Sequence, residues 1–133
     1  MMTGASVSVR LNPFKRPSSE LPILKDAGRV PWSPYGYILK ERPVFTLHPL
    51  FHAGVYYVQD SSAMYVGHIF RKLMPAGDGL RVLDLCAAPG GKTTDLAASL
   101  REACGPGFEL VGNEVMKQRA GVLHHLVAHK FET

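Results

Sequence analysis

Val82-Leu83-Asp84-Leu85-Cys86-Ala87-Ala88-Pro89-Gly90-Gly91-Lys92-Thr93-Thr94 passes from a short apolar run, through a proline-glycine turn, into helix-compatible residues. That order predicts a buried strand whose carboxyl end turns sharply into a helix. The Gly-Gly-Lys-Thr ending invites comparison with a phosphate-gripping loop, which needs a glycine five positions before the last one. Here that position is Cys86, so the Walker pattern fails. A dinucleotide fingerprint fails as well, because Gly90 and Gly91 are adjacent and no third glycine follows at the required spacing. What remains is a turn that lets backbone approach a ligand closely at the carboxyl edge of a parallel sheet.

Outward from this turn, Lys92 to Ala103 carries Leu96, Ala97, Leu100 and Ala103 on one helical face and is stopped by Gly105-Pro106-Gly107. Phe108 to Gly112 reads as the next strand, followed by a helix from about Val115. Upstream, Ser61 to Leu73 places Met64, Val66, Ile69, Phe70 and Leu73 at helical spacing, with Ser61 or Ser62 as N-cap. The two strands, joined by a helix, are expected to be parallel neighbours in one sheet. Two strands are too few for a doubly wound sheet covered on both faces. A fragment, or a sheet completed by a partner, is therefore expected.

Residues 1–54 hold seven of the ten prolines, which argues against long helices. Short strands fit better, at Ser6 to Leu11 by alternation and at Tyr35 to Leu39 after a Pro-Tyr-Gly turn. Two regions follow: a Pro-rich, basic segment 1–54 of short α+β elements, and an α/β segment 55–133.

Glu114, just past the second strand and 24 residues after Gly90, is positioned to accept hydrogen bonds from both hydroxyls of a ribose. A carboxylate there also suits the positive end of the following helix. Such a site fits an adenosine-containing cofactor, of which S-adenosylmethionine is one.

With 133 residues and 46% hydrophobic content, the chain is the size of one globular domain. It contains no run of about eighteen apolar residues and no apolar leader after Met1, so a cytoplasmic protein without membrane attachment is expected. Cys86 and Cys104 are too few for a disulfide framework and lack zinc-site spacing. His124, His125 and His129 have no glutamate of a metalloprotease pattern, and no metal is expected. His48, His52 and His68 read as structural, and Tyr56, Tyr57 and Tyr65 as core packing rather than base stacking. Residues 1–75 contain nine Lys and Arg against four acids, while the remainder is nearly neutral. A basic half beside a small-molecule site matches a polyanion-binding surface, although a solvated basic face has the same composition.

The stretch at 82–94 resembles motif I of the Sun-type RNA (cytosine-5) methyltransferases, and Gly112-Asn113-Glu114-Val115-Met116-Lys117-Gln118-Arg119-Ala120-Gly121-Val122-Leu123 is similar to their motif II. Residues 30–64 resemble the segment preceding the cofactor loop, and Val9-Arg10-Leu11-Asn12-Pro13-Phe14-Lys15 an N-terminal strand motif. The likeness is greatest to the bacterial branch that modifies small-subunit ribosomal RNA, the methyltransferase F type. Ser33 stands where a cysteine is expected, the linker Glu102 to Phe108 is longer than usual, and residues 124–133 match only in helical pattern.

The resemblance implies a partial Rossmann-like S-adenosylmethionine-dependent methyltransferase fold. It implies that Cys86, Ala87, Ala88, Pro89, Gly90, Gly91 and Lys92 line the cofactor site and that Glu114 binds the ribose. Arg119 would anchor its helix, and Gln59, Asp60, Ser61 and Ser62 would support the loop. The substrate would be RNA, ribosomal RNA in particular, contacted by segment 1–54. C5 of cytosine becomes nucleophilic enough for methylation only after a thiolate adds to C6. In the family that cysteine follows motif II, so no catalytic residue is assigned here. The chain is expected to be a monomeric fragment inactive on its own. The alternatives are a non-catalytic RNA- or partner-binding module with a vestigial cofactor loop, and a methyltransferase with a different target.

Overall fold

A computed structural model describes residues 6–128. The chain is mixed α/β, with one antiparallel and one parallel sheet. The first sheet comprises β1 (Val7–Leu11), β2 (Gly28–Arg29), β3 (Gly36–Leu39) and β4 (Tyr56–Val58), in the order β2-β3-β1-β4. Val9 of the central strand lies opposite Tyr37 on one side and Val58 on the other. Prolines begin the 3-10 turns Pro13–Lys15 and Pro22–Leu24 and the one-turn helix α1 (Pro49–His52), where a missing N–H costs nothing. Val7, Val9, Leu11, Leu24, Leu39 and Tyr56 form the core, with Phe45 and Phe51 packed around Tyr56. Because β4 pairs with β1, this sheet reaches past Gly54, near which the sequence texture changes.

The second sheet is β5 (Leu80–Asp84) beside β6 (Phe108–Gly112), parallel as expected, with Leu80 opposite Phe108 and Asp84 opposite Gly112. Helix α3 (Gly91–Cys104) connects them and α4 (Lys117–Leu126) follows. Helix α2 (Ser61–Leu73) packs on α3 and joins the two sheets. Leu96 and Leu100 of α3 are buried, and Gly105, at φ 58°, ends the helix in a conformation that favours glycine. Among the described residues no helix is long and apolar enough to cross a membrane.

Four expectations change. Alternation along β1 implies one face in water, yet all five residues are buried, because α3 and the residues after β4 cover the polar face. The run Val82 to Leu85 reads as a fully buried strand, yet Leu83 is 57% and Leu85 66% exposed. A helix covers only one face of this two-stranded sheet, and Leu83 lies beside Val111 on the open one. Asp60, not Ser61 or Ser62, occupies the N-cap of α2. Finally, α4 begins at Lys117 rather than Val115, because the Met116 amide donates to Glu114 Oε1 at 3.0 Å and holds a turn ahead of the helix. His129 lies outside the described residues.

Candidate functional site

Asp84, at the end of β5, closes the loop upon itself. Its Oδ1 accepts from the Cys86 amide at 3.2 Å and its Oδ2 from the Thr93 hydroxyl at 2.7 Å. A short carboxylate bonding to the backbone two residues on is a local turn device, and here it also reaches the first turn of α3. The peptide between Ala88 and Pro89 is cis. The loop is tied to the next strand as well: the Asn113 amide donates to the Asp84 carbonyl at 2.8 Å, and the Ala87 amide to the Asn113 carbonyl at 2.9 Å.

Glu114 follows directly, so the parallel register of β5 and β6 brings loop and carboxylate to one edge. Arg119 joins them. Its Nη2 donates to the Ala88 carbonyl at 2.7 Å, and its Nη1 lies 3.8 Å from Glu114 Oε2. Glu114 therefore has its own helix start and Arg119 as neighbours, with a side chain only 5% exposed.

The residues expected to line a cofactor site divide into two groups. Cys86, Pro89 and Lys92 are exposed at the sheet edge and Gly91 is half-buried, while Ala87, Ala88 and Gly90 are buried. An added Cβ on Gly90 would stand 2.6 Å from Leu126 Cδ2, and one on Gly91 2.9 Å from Tyr57 Cε1. The space that these glycines leave open is thus taken by protein side chains. A cavity of about 750 Å³ lies between α3, β6 and α4, within the size range of small-molecule sites. Glu114, Asn113, Gly112 and Thr93 line it, together with Leu110 and Leu123, whereas none of residues 86–92 does.

Arg10 reaches this site as well, although the sequence places it only in an N-terminal strand motif and a basic segment. It is fully buried. Nε donates to Gln59 Oε1 at 2.9 Å, and Nη2 to the Gly91 carbonyl at 3.0 Å and to Thr94 Oγ1 at 2.6 Å. Burial lowers the Arg10 pKa from its ordinary value, with Asp95 opposing the shift and Arg71 adding to it. Burial raises the Tyr57 pKa, with Arg10 opposing. Arg71 is also turned inward, 3.2 Å from Asp95 Oδ1 and donating to Ser99 Oγ and the Trp32 carbonyl. Neither arginine belongs to an outward basic face. The signal available in the sequence was an arginine flanked by Val9 and Leu11 in a strand.

The mixed α/β fold has a solved methyltransferase homolog among its structural neighbours. A solved methyltransferase homolog protein from Pyrococcus horikoshii matches over 96% of this chain and 41% of its own, with TM-score 0.76 and 26% identity. The solved structure of PH0851 matches 98% of this chain and 29% of its own with TM-score 0.78, at 24% identity, a likeness of fold.

Residues 1–61 match the family described as the N-terminal domain of 16S rRNA methyltransferase RsmF. The ribosomal RNA small subunit methyltransferase F of Psychromonas ingrahamii is 34% identical over 71% of this chain and 20% of its own length. That of Shewanella loihica is 31% identical over 88% of this chain and 25% of its own. A ribosomal RNA small subunit methyltransferase B, from Citrobacter koseri, is 39% identical over 64% of this chain and 20% of its own. The first half of the chain thus resembles the N-terminal domain of F-type ribosomal RNA small subunit methyltransferases, and the chain spans a fifth to a quarter of the length of these relatives.

Proposed function

We infer that this chain supplies the N-terminal and cofactor-binding part of an S-adenosylmethionine-dependent RNA methyltransferase, with C5 of a cytosine in ribosomal RNA as the target. The observation that carries this is the joining of loop 86–92 and Glu114 at one carboxyl edge through Arg119. In such a Rossmann-like arrangement, Glu114 would accept from the ribose hydroxyls, and the backbone around Cys86 and Lys92 would face the rest of the cofactor. The donor set suits that group: the Glu114 carboxylate borders a cavity of adequate volume, and Cys86, Pro89 and Lys92 are exposed at the same sheet edge, outside that cavity's lining. Bound there, S-adenosylmethionine would supply an electrophilic methyl group on its sulfonium.

What this chain contributes is holding and orienting. Arg119 keeps the Ala88 carbonyl and Glu114 in register, and Asp84 keeps the Cys86 turn closed. No thiol of the described residues is assigned the attack on C6. Cys86 stands in the loop, and Cys104 donates to the Gly77 carbonyl at the far end of α3. RNA would be contacted through exposed cations of the first segment, such as Lys15, Arg16 and Lys25, without Arg10 or Arg71. A monomeric, cytoplasmic protein belongs to the same proposal.

The filling of the glycine spaces by Leu126 and Tyr57 favours one alternative, a binding module whose cofactor loop is vestigial. Titration calorimetry of the folded chain with S-adenosylmethionine separates the two. Saturable binding weakened at least about tenfold by Glu114→Ala, the scale of a lost charged hydrogen bond, supports the cofactor site. Absence of binding to a folded sample, or equal binding after that substitution, overturns it.

A further inference from the structure

A buried guanidinium is costly unless its donors are met, and an apolar side chain of similar volume often serves stability as well or better. Arg10 is completely buried in the middle strand of the first sheet, but its hydrogen bonds run out of that sheet's core. Two bonds from Nη2 end on the first turn of α3, at the Gly91 carbonyl and Thr94 Oγ1. The Thr94 hydroxyl in turn donates to the Gly90 carbonyl at 2.8 Å. One cation thus holds both loop glycines, one directly and one through a hydroxyl. Gln59 accepts from Nε, and the Tyr57 ring lies against Gly91, so β4 and the residue after it brace the same point.

The direction of these contacts is informative. A cation beside the amino end of a helix is electrostatically unfavourable, so this position does not serve α3's stability through its dipole. It serves geometry: Nε and Nη2 of the planar guanidinium meet divergent acceptors that a lysine ammonium cannot match in orientation, while Nη1 has no hydrogen-bond partner among the described residues.

We propose that Arg10 is a positioning residue for the cofactor loop, so that the amino-terminal antiparallel sheet sets the conformation of Gly90, Gly91 and the start of α3. The proposal rests on the cofactor reading of that loop for its functional consequence, and on the hydrogen bonds alone for its structural one. Arg10 holds the loop in the shape that the ligand meets, and touches no ligand itself.

The test compares Arg10→Met and Arg10→Lys with Arg71→Met, the loss of an inward-turned arginine that shares Asp95 with Arg10 but bonds neither Gly91 nor Thr94, in the full chain. Amide hydrogen exchange is read at residues 86–94 under conditions of matched global stability. Expected is exchange at least about tenfold faster at this loop in Arg10→Met than in Arg71→Met, as for loss of charged hydrogen bonds, with Arg10→Lys in between. Calorimetric affinity for S-adenosylmethionine is expected to fall in the same order. Should Arg10→Met not fold, Thr94→Val removes the relay to Gly90 with little change of volume and is expected to loosen the loop likewise. Uniform acceleration across β1, α3 and β6, equal in the Arg10 and Arg71 variants, overturns the proposal and leaves Arg10 merely structural. If the wild-type chain binds no S-adenosylmethionine while the loop-selective exchange is seen, the cofactor reading fails and the positioning role stands.

Discussion

Leu126 of α4 occupies the space in which a side chain on Gly90 would stand, with Leu126 Cδ2 2.6 Å from the position of an added Cβ. Gly90 also has φ 121°, a conformation that side chains oppose. Gly90→Ala is therefore expected to cost about 2 to 3 kcal/mol, from backbone strain and overpacking together. Leu126→Ala should cost about 2 kcal/mol by loss of burial and should uncover the loop. Urea denaturation measures both. A cofactor site beneath α4 would bind ligand more tightly after Leu126→Ala, whereas a vestigial loop would stay silent.

Asp95 is the carboxylate whose charge favours protonated Arg10, and it is also the ion-pair partner of Arg71. Replacing it with asparagine leaves the buried Arg10 and the part-buried Arg71 without that anion, which is expected to cost about 3 kcal/mol. Arg71→Met should cost less, about 2 kcal/mol, because Arg71 retains 21% side-chain exposure and Arg10 still faces Asp95. Chemical denaturation at low and high salt checks the ranking. Added salt should narrow neither loss appreciably, since screening acts weakly on buried pairs.

Burial raises the pKa of Tyr57 and of Tyr56 above the ordinary value near 10. An acid whose folded pKa exceeds its unfolded one binds its proton more tightly when folded. The associated stability is complete below about pH 10 and is lost as pH rises through the folded value. Stability is expected to decline through the alkaline range, and Tyr57→Phe should make the decline shallower. Thermal denaturation from pH 8 to 11 tests this; identical slopes for wild type and Tyr57→Phe would refute it.

On the open face of the parallel pair, Leu83 and Val111 are neighbours in register and 57% and 48% exposed. Leu83→Lys is expected to alter stability by less than about 0.5 kcal/mol, as for substitutions outside a packed environment. It should also reduce non-specific association of the chain at high concentration, because exposed apolar patches promote contact between molecules. Sedimentation over a concentration series is the measurement.

Much of this was legible along the chain, for local reasons. Pro89 and the paired glycines announce a turn, Gly105-Pro106-Gly107 a helix end, and apolar spacing the strand-helix-strand order that the parallel pair realises. The placement of Glu114 beside the loop follows from that order, because parallel strands bring their carboxyl ends to one edge. Exposure of Leu83 and Leu85 was hidden, because an apolar run records a preference for burial and not whether a neighbour is present to provide it.

What the sequence by itself determined, then, is a proline-glycine loop after a strand, with a carboxylate after the next. Only the tertiary structure decided that Arg10 leaves the basic surface and anchors Gly91 and Thr94 from another sheet. It also decided that Leu126 and Tyr57 take up the room beside the two glycines. These contacts join residues more than thirty positions apart. No local spacing encodes them, because chain packing alone brings the partners together.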